Sequence, residues 1–488
     1  MDDHTLLVLE FPAVLARLAR LTSFSVGRES ALALRPVVDR DLVVRRQRQT
    51  AEAVYLRRMG IDVPLAGARD VRSTAGGAAR GQALTAGDLL DVASLCRAAM
   101  QAARTLARNA EEAPLLASIG GGFADLSPLR DLIEGSIDEA GMVRDSASSE
   151  LAQIRRELNE AHSRLQQRLQ AMLSNSSVAN ALQEPIIVMR DGRYVLPVKA
   201  DFRGSVRGVV HDTSASGQTV YVEPLAVVDL ANRWRELQVQ ERHEVERILR
   251  ELSSAVGSAS DDLVDAVQRL GQVDLAQAKA RLADELDATA LAQRTRVGWV
   301  AEMPAELRLV NARHPLLTGH VVPTSLHVGG ETQALLITGP NTGGKTVAIK
   351  TAGLLCLMAL AGLPVPAEGG TQIPVYDSIF ADIGDEQSIE QSLSTFSGHM
   401  TAVIGIIERA SARSLVLLDE VGAGTDPTEG AALGIAIVER LVEAGAALIA
   451  TTHHSELKLY AHQTPGVQNA SVEFDLESLR PTYRLTIG

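Results

Sequence analysis

The sequence has 488 residues, of which 46% are hydrophobic, 22% charged and 3% aromatic, and its formal net charge is −13. This length predicts two to four domains, the composition excludes a disordered chain, and two distant cysteines exclude a disulfide framework or a zinc site. The acidic N-terminus and the short apolar run 354–363 exclude a signal peptide and a membrane span, so we expect a cytoplasmic protein with no membrane partner.

Residues 1–130 are predicted to form a helical core. Apolar residues recur there at helical spacing, beginning with Leu7, Phe11 and Val14. The segment 85–88 resembles a capping box that opens a further helix. Three consecutive glycines at 120–122 predict a loop and a domain boundary, because glycine weakens any regular element.

Residues 131–300 are predicted to form an arm of two antiparallel helices with a small β element at its tip. The first helix, expected from about Arg144 to Met172, carries apolar residues alternately three and four apart, which is typical of a coiled-coil seam: Leu151, Ile154, Leu158, Ala161 and Leu165. A matching helix follows residue 225. Between the helices, 184–224 is rich in β-branched residues and glycine, which predicts short strands. A helical domain folded back on itself stays open as an alternative.

The predicted tip is locally basic within an acidic protein. From 190 to 207 there are five basic residues against two acidic ones, and the basic ones are Arg190, Arg193, Lys199, Arg203 and Arg207. A basic tip on a long arm suits contact with a phosphate backbone. A solvated strand face explains the same charges equally well. The scarcity of aromatic residues disfavours single-strand binding by base stacking.

Residues 301–488 are predicted to form an α/β ATPase domain of the P-loop (ABC) type, which makes the whole protein a multidomain α and α/β fold. A buried strand, 334–338, leads into a glycine-rich loop and a helix, the context that the pattern G-x-x-x-x-G-K-[ST] requires. The loop residues are Gly339, Pro340, Asn341, Thr342, Gly343, Gly344, Lys345 and Thr346. Backbone amides of the loop are expected to surround the phosphates of ATP, with Lys345 on the β- and γ-phosphates and the Thr346 hydroxyl on Mg²⁺.

Two further strands end in polar residues that suit ATP hydrolysis. The strand 414–418 ends in Asp419, predicted to bind Mg²⁺ or its waters, and Glu420, predicted to accept a proton from the attacking water. Carboxylates at the end of a buried strand are costly unless a metal or a substrate uses them. The strand 446–450 leads to His453, which is predicted to sense the γ-phosphate, while His454 is predicted to be structural. A Ser/Thr cluster within 385–400 suggests a phosphate-facing loop, although its spacing alone assigns no role.

Together these residues resemble the ATPase domain of the MutS family. The shared motifs are the loop through Lys345, the signature Ser394-Thr395-Phe396, Asp419-Glu420, Thr452-His453 and Asn311-Ala-Arg-His314-Pro315. The resemblance implies a homodimer in which Ser394 of one subunit completes the ATP site of the other, with Thr425-Asp426 at the interface. It also implies a cofactor-binding role for His314.

The rest of the sequence resembles the second bacterial subfamily of MutS. The stretch His211–Pro224 looks like that subfamily, as do Asp191–Tyr194 and 27–36, and the Phe-x-Glu element of mismatch-repair MutS does not occur. The resemblance implies binding of branched DNA and suppression of homologous recombination, and in some bacteria rescue of collided ribosomes. Members usually carry a C-terminal Smr nuclease domain. We therefore expect a truncated chain without nuclease activity, in which dimerisation and ATP turnover are weakened.

Three functions are compatible with these sequence features. The leading hypothesis is an ATP-switched clamp on branched DNA, and its main rival is an ATPase whose arms grip ribosomes. A structural ATPase similar to the chromosome-maintenance proteins is disfavoured, because the predicted helix pair is much shorter than their coiled-coil arms. The sequence does not decide between DNA and the ribosome as partner.

Overall fold

The computed structural model describes residues 1–288, 300–301, 303, 305–319, 321–340, 343–384, 392–475 and 480–488. Its helices are α1 (Asp3–Val8), α2 (Phe11–Arg20), α3 (Ser25–Leu32), α4 (Arg40–Arg58), α5 (Arg72–Ala79), α6 (Ala86–Arg108), α7 (Pro114–Gly120), α8 (Ser127–Ser136), α9 (Ser149–Leu173), α10 (Ser176–Ala179), α11 (Leu225–Ser258), α12 (Ser260–Glu285), α13 (Lys345–Leu360), α14 (Ser392–Arg409), α15 (Pro427–Glu443) and α16 (Ser455–Gln463). Within the described ranges, no helix is long and apolar enough to cross a membrane.

The strands are β1 (Val188–Arg190), β2 (Arg193–Lys199), β3 (Gly208–Thr213), β4 (Thr219–Pro224), β5 (Val300–Ala301), β6 (Leu307–Ala312), β7 (Thr324–Val328), β8 (Ala334–Thr338), β9 (Ile373–Pro374), β10 (Ser378–Asp382), β11 (Ser414–Leu418), β12 (Ala447–Thr451), β13 (Val467–Asp475) and β14 (Arg480–Ile487). The fold is mixed α and β, with helices dominating before residue 300 and strands alternating with helices after it.

Contacts divide the chain into two compact units. The first consists of residues 1–70, 98–124 and 265–488, and the second of residues 71–97 and 125–264. The first unit thus joins the N-terminal helices to the predicted ATPase region. Both units are assembled from separate stretches, whereas the predicted domains 1–130, 131–300 and 301–488 follow the chain continuously. That three-domain division stays a prediction.

The first unit is built around a six-stranded sheet in the order β10-β11-β12-β8-β13-β14. Strand β14 is antiparallel to β13, and the other neighbours are parallel. Strands β8, β11 and β12 are apolar runs buried over their whole length, which is typical of a parallel sheet covered on both faces. This order places the carboxyl ends of β8, β11 and β12 side by side, so the polar residues that follow them meet at one edge.

Alternating side chains of β11 show what covers each face of this sheet. Val416 and Leu418 belong to a buried cluster with apolar residues of α14, α15 and α16. Leu417 points the other way, toward α13, where a Cβ on Gly353 would lie only 2.4 Å from its Cδ1 atom. The same Cβ would lie 2.8 Å from a methyl group of Leu9, so glycine at 353 permits close packing of α13, the sheet and the N-terminal segment.

Polar contacts also hold the N-terminal helices on α13. Lys350 of α13 forms an ion pair with Glu10 at 2.8 Å, and the backbone of Glu10 is left-handed, with φ +59°. The Gln47 amide of α4 donates to the carbonyl oxygens of Ala359 and Leu363 at 2.8 and 3.0 Å. Since these partners are about 300 or more positions apart in the sequence, local patterns do not predict this packing.

The second unit contains the helix pair α9 and α11. Arg155 of α9 donates to Glu241 of α11 at 2.9 Å, and Glu157 of α9 accepts from Arg233 of α11 at 2.7 Å. Residue numbers therefore rise along α9 as those of the partners on α11 fall, which shows that the two helices are antiparallel. Helix α9 begins at Ser149, five residues later than predicted from Arg144, because Ser148 accepts a hydrogen bond from the Leu151 amide and caps the helix.

Between α9 and α11 in the sequence lies a four-stranded antiparallel sheet in the order β1-β2-β4-β3. Its strands fall within the predicted segment 184–224. One face packs on the adjoining helices through a buried cluster: Leu165, Leu169, Ala181, Leu182, Leu196, Val198, Val206, Val220, Val222, Val227 and Ala231. The predicted capping box is also present in this unit, since Thr85 and Asp88 each accept a hydrogen bond from the backbone amide of the other, at 3.2 and 3.0 Å.

Candidate nucleotide-binding site

The glycine-rich loop connects β8 to α13 as the sequence predicts. Lys345 is the first residue of α13, and its Nζ atom donates to the Gly339 carbonyl oxygen at 2.7 Å, folding back over the loop. Gly344 caps the helix with φ +91°, a conformation that glycine adopts without strain. Asn341 and Thr342 lie outside the described residues. The described end of the loop leads directly into the N-terminus of α13, and a helix N-terminus is a favourable place for an anion.

An aromatic residue that sequence patterns did not single out lies beside this loop. A Cβ on Gly344 would come within 3.0 Å of a ring carbon of Tyr483 in β14. Tyr483 is half-exposed and has a left-handed backbone, with φ +59°. Non-glycine residues held in that region carry strain, and such strain clusters at ligand sites. Tyr483 therefore lies against the phosphate-binding end of the candidate site.

Asp419 is bound on both of its carboxylate oxygens. The Thr346 hydroxyl donates to Oδ2 at 2.7 Å, and the Thr451 hydroxyl donates to Oδ1. The Thr451 oxygen in turn accepts a 2.7 Å hydrogen bond from the Glu420 amide. Thr451 is fully buried at the end of β12, so one buried hydroxyl group binds both the Asp419 carboxylate and the backbone amide of Glu420. Sequence patterns do not indicate this role, because a threonine inside a buried strand is unremarkable.

The backbone at Glu420 is left-handed, with φ +52°. This turn breaks the alternation of strand β11, so Glu420 does not simply point to the opposite face of the sheet from Asp419. Burial lowers the pKa of Lys345, and the negative charges of Glu420 and Asp419 partly offset this effect by raising it. One ammonium group and two carboxylates thus share this edge, as phosphate and metal binding require.

Thr346 and Asp419 fit the needs of a magnesium ion. Both offer hard oxygen ligands, and the 2.7 Å separation of hydroxyl and carboxylate brings the two together. Mg²⁺ is usually held by one or two carboxylates together with substrate phosphates and water, so two protein oxygens suffice. Within the described residues, no group of three or more His, Cys, Asp or Glu side chains forms a metal cage.

The two histidines after β12 differ in burial. His454 is buried, and its Nε2 atom lies 3.2 Å from the Gly422 carbonyl oxygen, in agreement with its predicted structural role. His453 is exposed, with its ring centroid 4.4 Å from that of His454. An exposed histidine at the edge where β8, β11 and β12 end is well placed for the predicted contact with phosphate, and that contact stays a prediction.

The remaining predicted residues lie in three places. His314 is buried near Glu10 and Lys350, and burial lowers its pKa. Ser394 lies in the first turns of α14, so the predicted loop over 392–400 is wrong: these residues begin a helix, and 385–391 fall outside the described part. Asp426 caps α15 by accepting from the Thr428 amide at 2.9 Å. Their roles toward ATP or a second subunit stay predictions.

In the parallel part of the sheet, a phosphate-binding loop follows one strand, and paired carboxylates follow the strand two places away in space. This arrangement defines the class of the domain, which is an α/β domain of the P-loop type. Residues 335–487 match the family model of MutS domain V. Over its full length the chain is 48% identical to Endonuclease MutS2 of Symbiobacterium thermophilum, covering 60% of that protein, and 48% identical to that of Thermomicrobium roseum, covering 62%. It is 45% identical to Endonuclease MutS2 of Pelotomaculum thermopropionicum, covering 61%. The chain belongs to the MutS family, in the branch of these MutS2 proteins. It spans about 60% of the length of the curated relatives it matches.

Proposed function

We propose that this chain binds ATP and Mg²⁺ and hydrolyses ATP, as one half of a MutS-type homodimer that acts on DNA. The observation that carries the proposal is the Asp419 carboxylate, held by the hydroxyls of Thr346 and Thr451 directly beside Glu420. These groups lie at the carboxyl edge of the sheet, where the phosphate-binding loop begins.

The proposed hydrolysis follows from where these groups lie. The loop 339–346 would bind the phosphates, and Thr346 with Asp419 would hold Mg²⁺, which would supply positive charge to the phosphates. As water attacks the γ-phosphorus, Glu420 accepts its proton, and the bond to the oxygen that bridges the β- and γ-phosphates breaks. His453, and Ser394 of a second copy, would stabilise the charge that develops on the γ-phosphate. His314 is buried near Lys350 of α13, and its proposed contribution to nucleotide binding rests on the family resemblance.

On this proposal the helix pair and the sheet at its end contact nucleic acid, and branched DNA is the favoured partner. Arg203 and Arg207 are exposed there. Arg190 and Arg193 are already paired within the sheet, with Asp212 at 3.6 Å and Glu223 at 3.2 Å. The exposed pair therefore supports phosphate contact better than the predicted set of five. Suppression of homologous recombination would follow from holding such DNA.

Two further activities, a nuclease and a ribosome-bound ATPase, concern other segments or another partner. The relatives are named endonucleases, and we place any nuclease activity of such proteins in segments that lie outside this match. A ribosome-bound ATPase is the second candidate for the helix pair, because a basic surface that binds a phosphate backbone would accept ribosomal RNA as well as DNA.

Affinity measurements distinguish these partners. Binding to a four-way DNA junction, a linear duplex of equal length and ribosomes is compared with and without ATP at one salt concentration. The proposal predicts the tightest, ATP-dependent binding to the junction. If the tightest ATP-dependent binding is to ribosomes, the ribosome and not DNA is the partner. If binding to all three is the same with and without ATP, the ATP-switched role is contradicted.

A further inference from the structure

Asp382 ends strand β10, next to the strand that leads to the catalytic carboxylates. It is in register with Leu418, and its carbonyl oxygen accepts a 3.0 Å hydrogen bond from the Asp419 amide. Its side chain is only 13% exposed. Asp382 is therefore part of the same rigid sheet edge as Asp419, although its carboxylate points to a different partner.

That partner is His399 of α14. Its Nδ1 atom lies 3.1 and 3.3 Å from the two carboxylate oxygens of Asp382, and because an ionised carboxylate only accepts hydrogen bonds, Nδ1 is the donor. The ring also packs on the backbone after β10, since a Cβ on Gly384 would come within 2.9 Å of its Cε1 atom. The imidazole is thus held by the carboxylate and by contact with the backbone at Gly384, while 45% of the side chain stays exposed.

Helix α14 also carries Ser394, five residues before His399, which is about one and a half turns. At the far end of the helix, the Arg409 guanidinium lies 4.9 Å over the ring of Phe380, again in β10. The helix is therefore attached to one strand at two points. The point nearer to Ser394 is the contact between His399 and Asp382.

We propose that Asp382 and His399 are positioning residues, which fix α14 to the sheet edge of their own subunit so that Ser394 is correctly placed for the ATP of the other subunit. The inference rests on the proposed function, in which Ser394 acts in trans. Neither side chain is required to touch ATP. Losing their contact would leave the subunit's own site intact and impair its partner's.

Mixed dimers with a single working ATP site test this directly. Two subunits with different affinity tags are co-expressed, and one carries Lys345→Ala to disable its own site. In the first dimer the working subunit carries His399→Ala, and the disabled subunit supplies an unaltered α14. In the second dimer the working subunit is unaltered, and the disabled subunit carries His399→Ala as well. The reference dimer carries Lys345→Ala alone.

We expect the first dimer to hydrolyse ATP like the reference and the second to show a kcat about threefold to tenfold lower with unchanged KM. His399→Asn in the second dimer should restore most of the activity, because its amide nitrogen takes the place of Nδ1 and still donates to Asp382. A loss of ATP turnover in the first dimer but not in the second would overturn the inference. Reference turnover in both dimers would overturn it as well.

Two controls separate the possible failures. Ser394→Ala placed in the same two positions tests the trans role itself: if it acts only within its own subunit, the composite site of the proposed function fails, whatever His399 does. Arg413→Ala removes the pair with Asp377 (2.7 Å) just before β10, at the opposite end of the strand, and should leave turnover unchanged in both dimers. A loss of ATP turnover in Arg413→Ala would show that any disturbance of β10 impairs the site, and it would also overturn the inference.

Discussion

At the level of single residues, Thr451 connects the groups on which hydrolysis depends. Its hydroxyl donates to Asp419 and accepts from the Glu420 amide, so it fixes the orientation of the metal-binding carboxylate and the position of the proposed base. A supporting group of this kind need not touch substrate to affect turnover, since it sets the geometry of those that do.

Thr451→Val keeps the shape of the buried side chain but removes both hydrogen bonds. Supporting residues around metal sites typically contribute a factor of about 10 to 100 in activity, so ATP turnover should fall by about that much, with a higher Mg²⁺ requirement. Steady-state ATPase assays over a magnesium titration measure both effects. Thr351→Val is the matched control, because the Thr351 hydroxyl is buried too and donates to Val347 within its own helix. Wild-type turnover in Thr451→Val would show that Asp419 needs no such support.

At the level of elements, one nearly buried carboxylate joins the helices α9 and α11. Glu244 of α11 accepts from the guanidinium of Arg247 and from the hydroxyl of Ser148, the cap of α9, at 2.7 and 2.6 Å. The bonds from Arg247, helped by Ser148, lower the pKa of Glu244 from 4.5 to about 2. Because the folded pKa is depressed, the stabilisation is complete above about pH 4.5 and is lost as the pH falls toward 2.

Glu244→Gln should therefore flatten the acid branch of the stability curve. Between pH 4.5 and about 2, the melting temperature of the wild type should fall more steeply than that of the variant, by about 2 to 4 °C in total. Circular dichroism melts at several pH values give both curves. Glu160→Gln, which removes an exposed carboxylate paired with Arg164 on α9, is the control and should follow the wild type. Parallel curves for Glu244→Gln and wild type would exclude this linkage.

The small sheet between these helices allows a sharp test of phosphate contact. Replacing exposed Arg203 and Arg207 with Gln should weaken DNA binding and reduce the slope of log Kd against log salt by about 2, since each lost phosphate contact removes about 0.9. Arg190→Gln is the control, because Asp212 and the ring of Tyr221 already engage that guanidinium. Arg193 is unsuitable as a control, because its loss would remove the guanidinium that pairs with the buried Glu223 carboxylate. An unchanged slope in the double variant would exclude phosphate contact by these two residues.

At the level of the whole molecule, local patterns predicted the elements well and the contacts between them poorly. The strand 334–338, the strand before Asp419, the capping box and the strands of 184–224 were predictable, because periodicity and turn residues are local signals. The contacts of Thr451, the position of Tyr483 and the pairing of Asp382 with His399 depend on which segments the fold brings together, and spacing carries no information on that. The packing of Leu9 and Glu10 on α13 was missed for the same reason.

The central claim is that Glu420 is the base of an ATPase site. Glu420→Gln keeps the size of the side chain and removes its ability to take a proton, while the loop through Lys345 stays intact. Nucleotide affinity and steady-state ATP turnover are measured on the same preparation. We expect an unchanged Kd for ATP and turnover reduced by about a hundredfold or more, in keeping with the loss of general base catalysis. Hydrolysis at the wild-type rate in Glu420→Gln would contradict it.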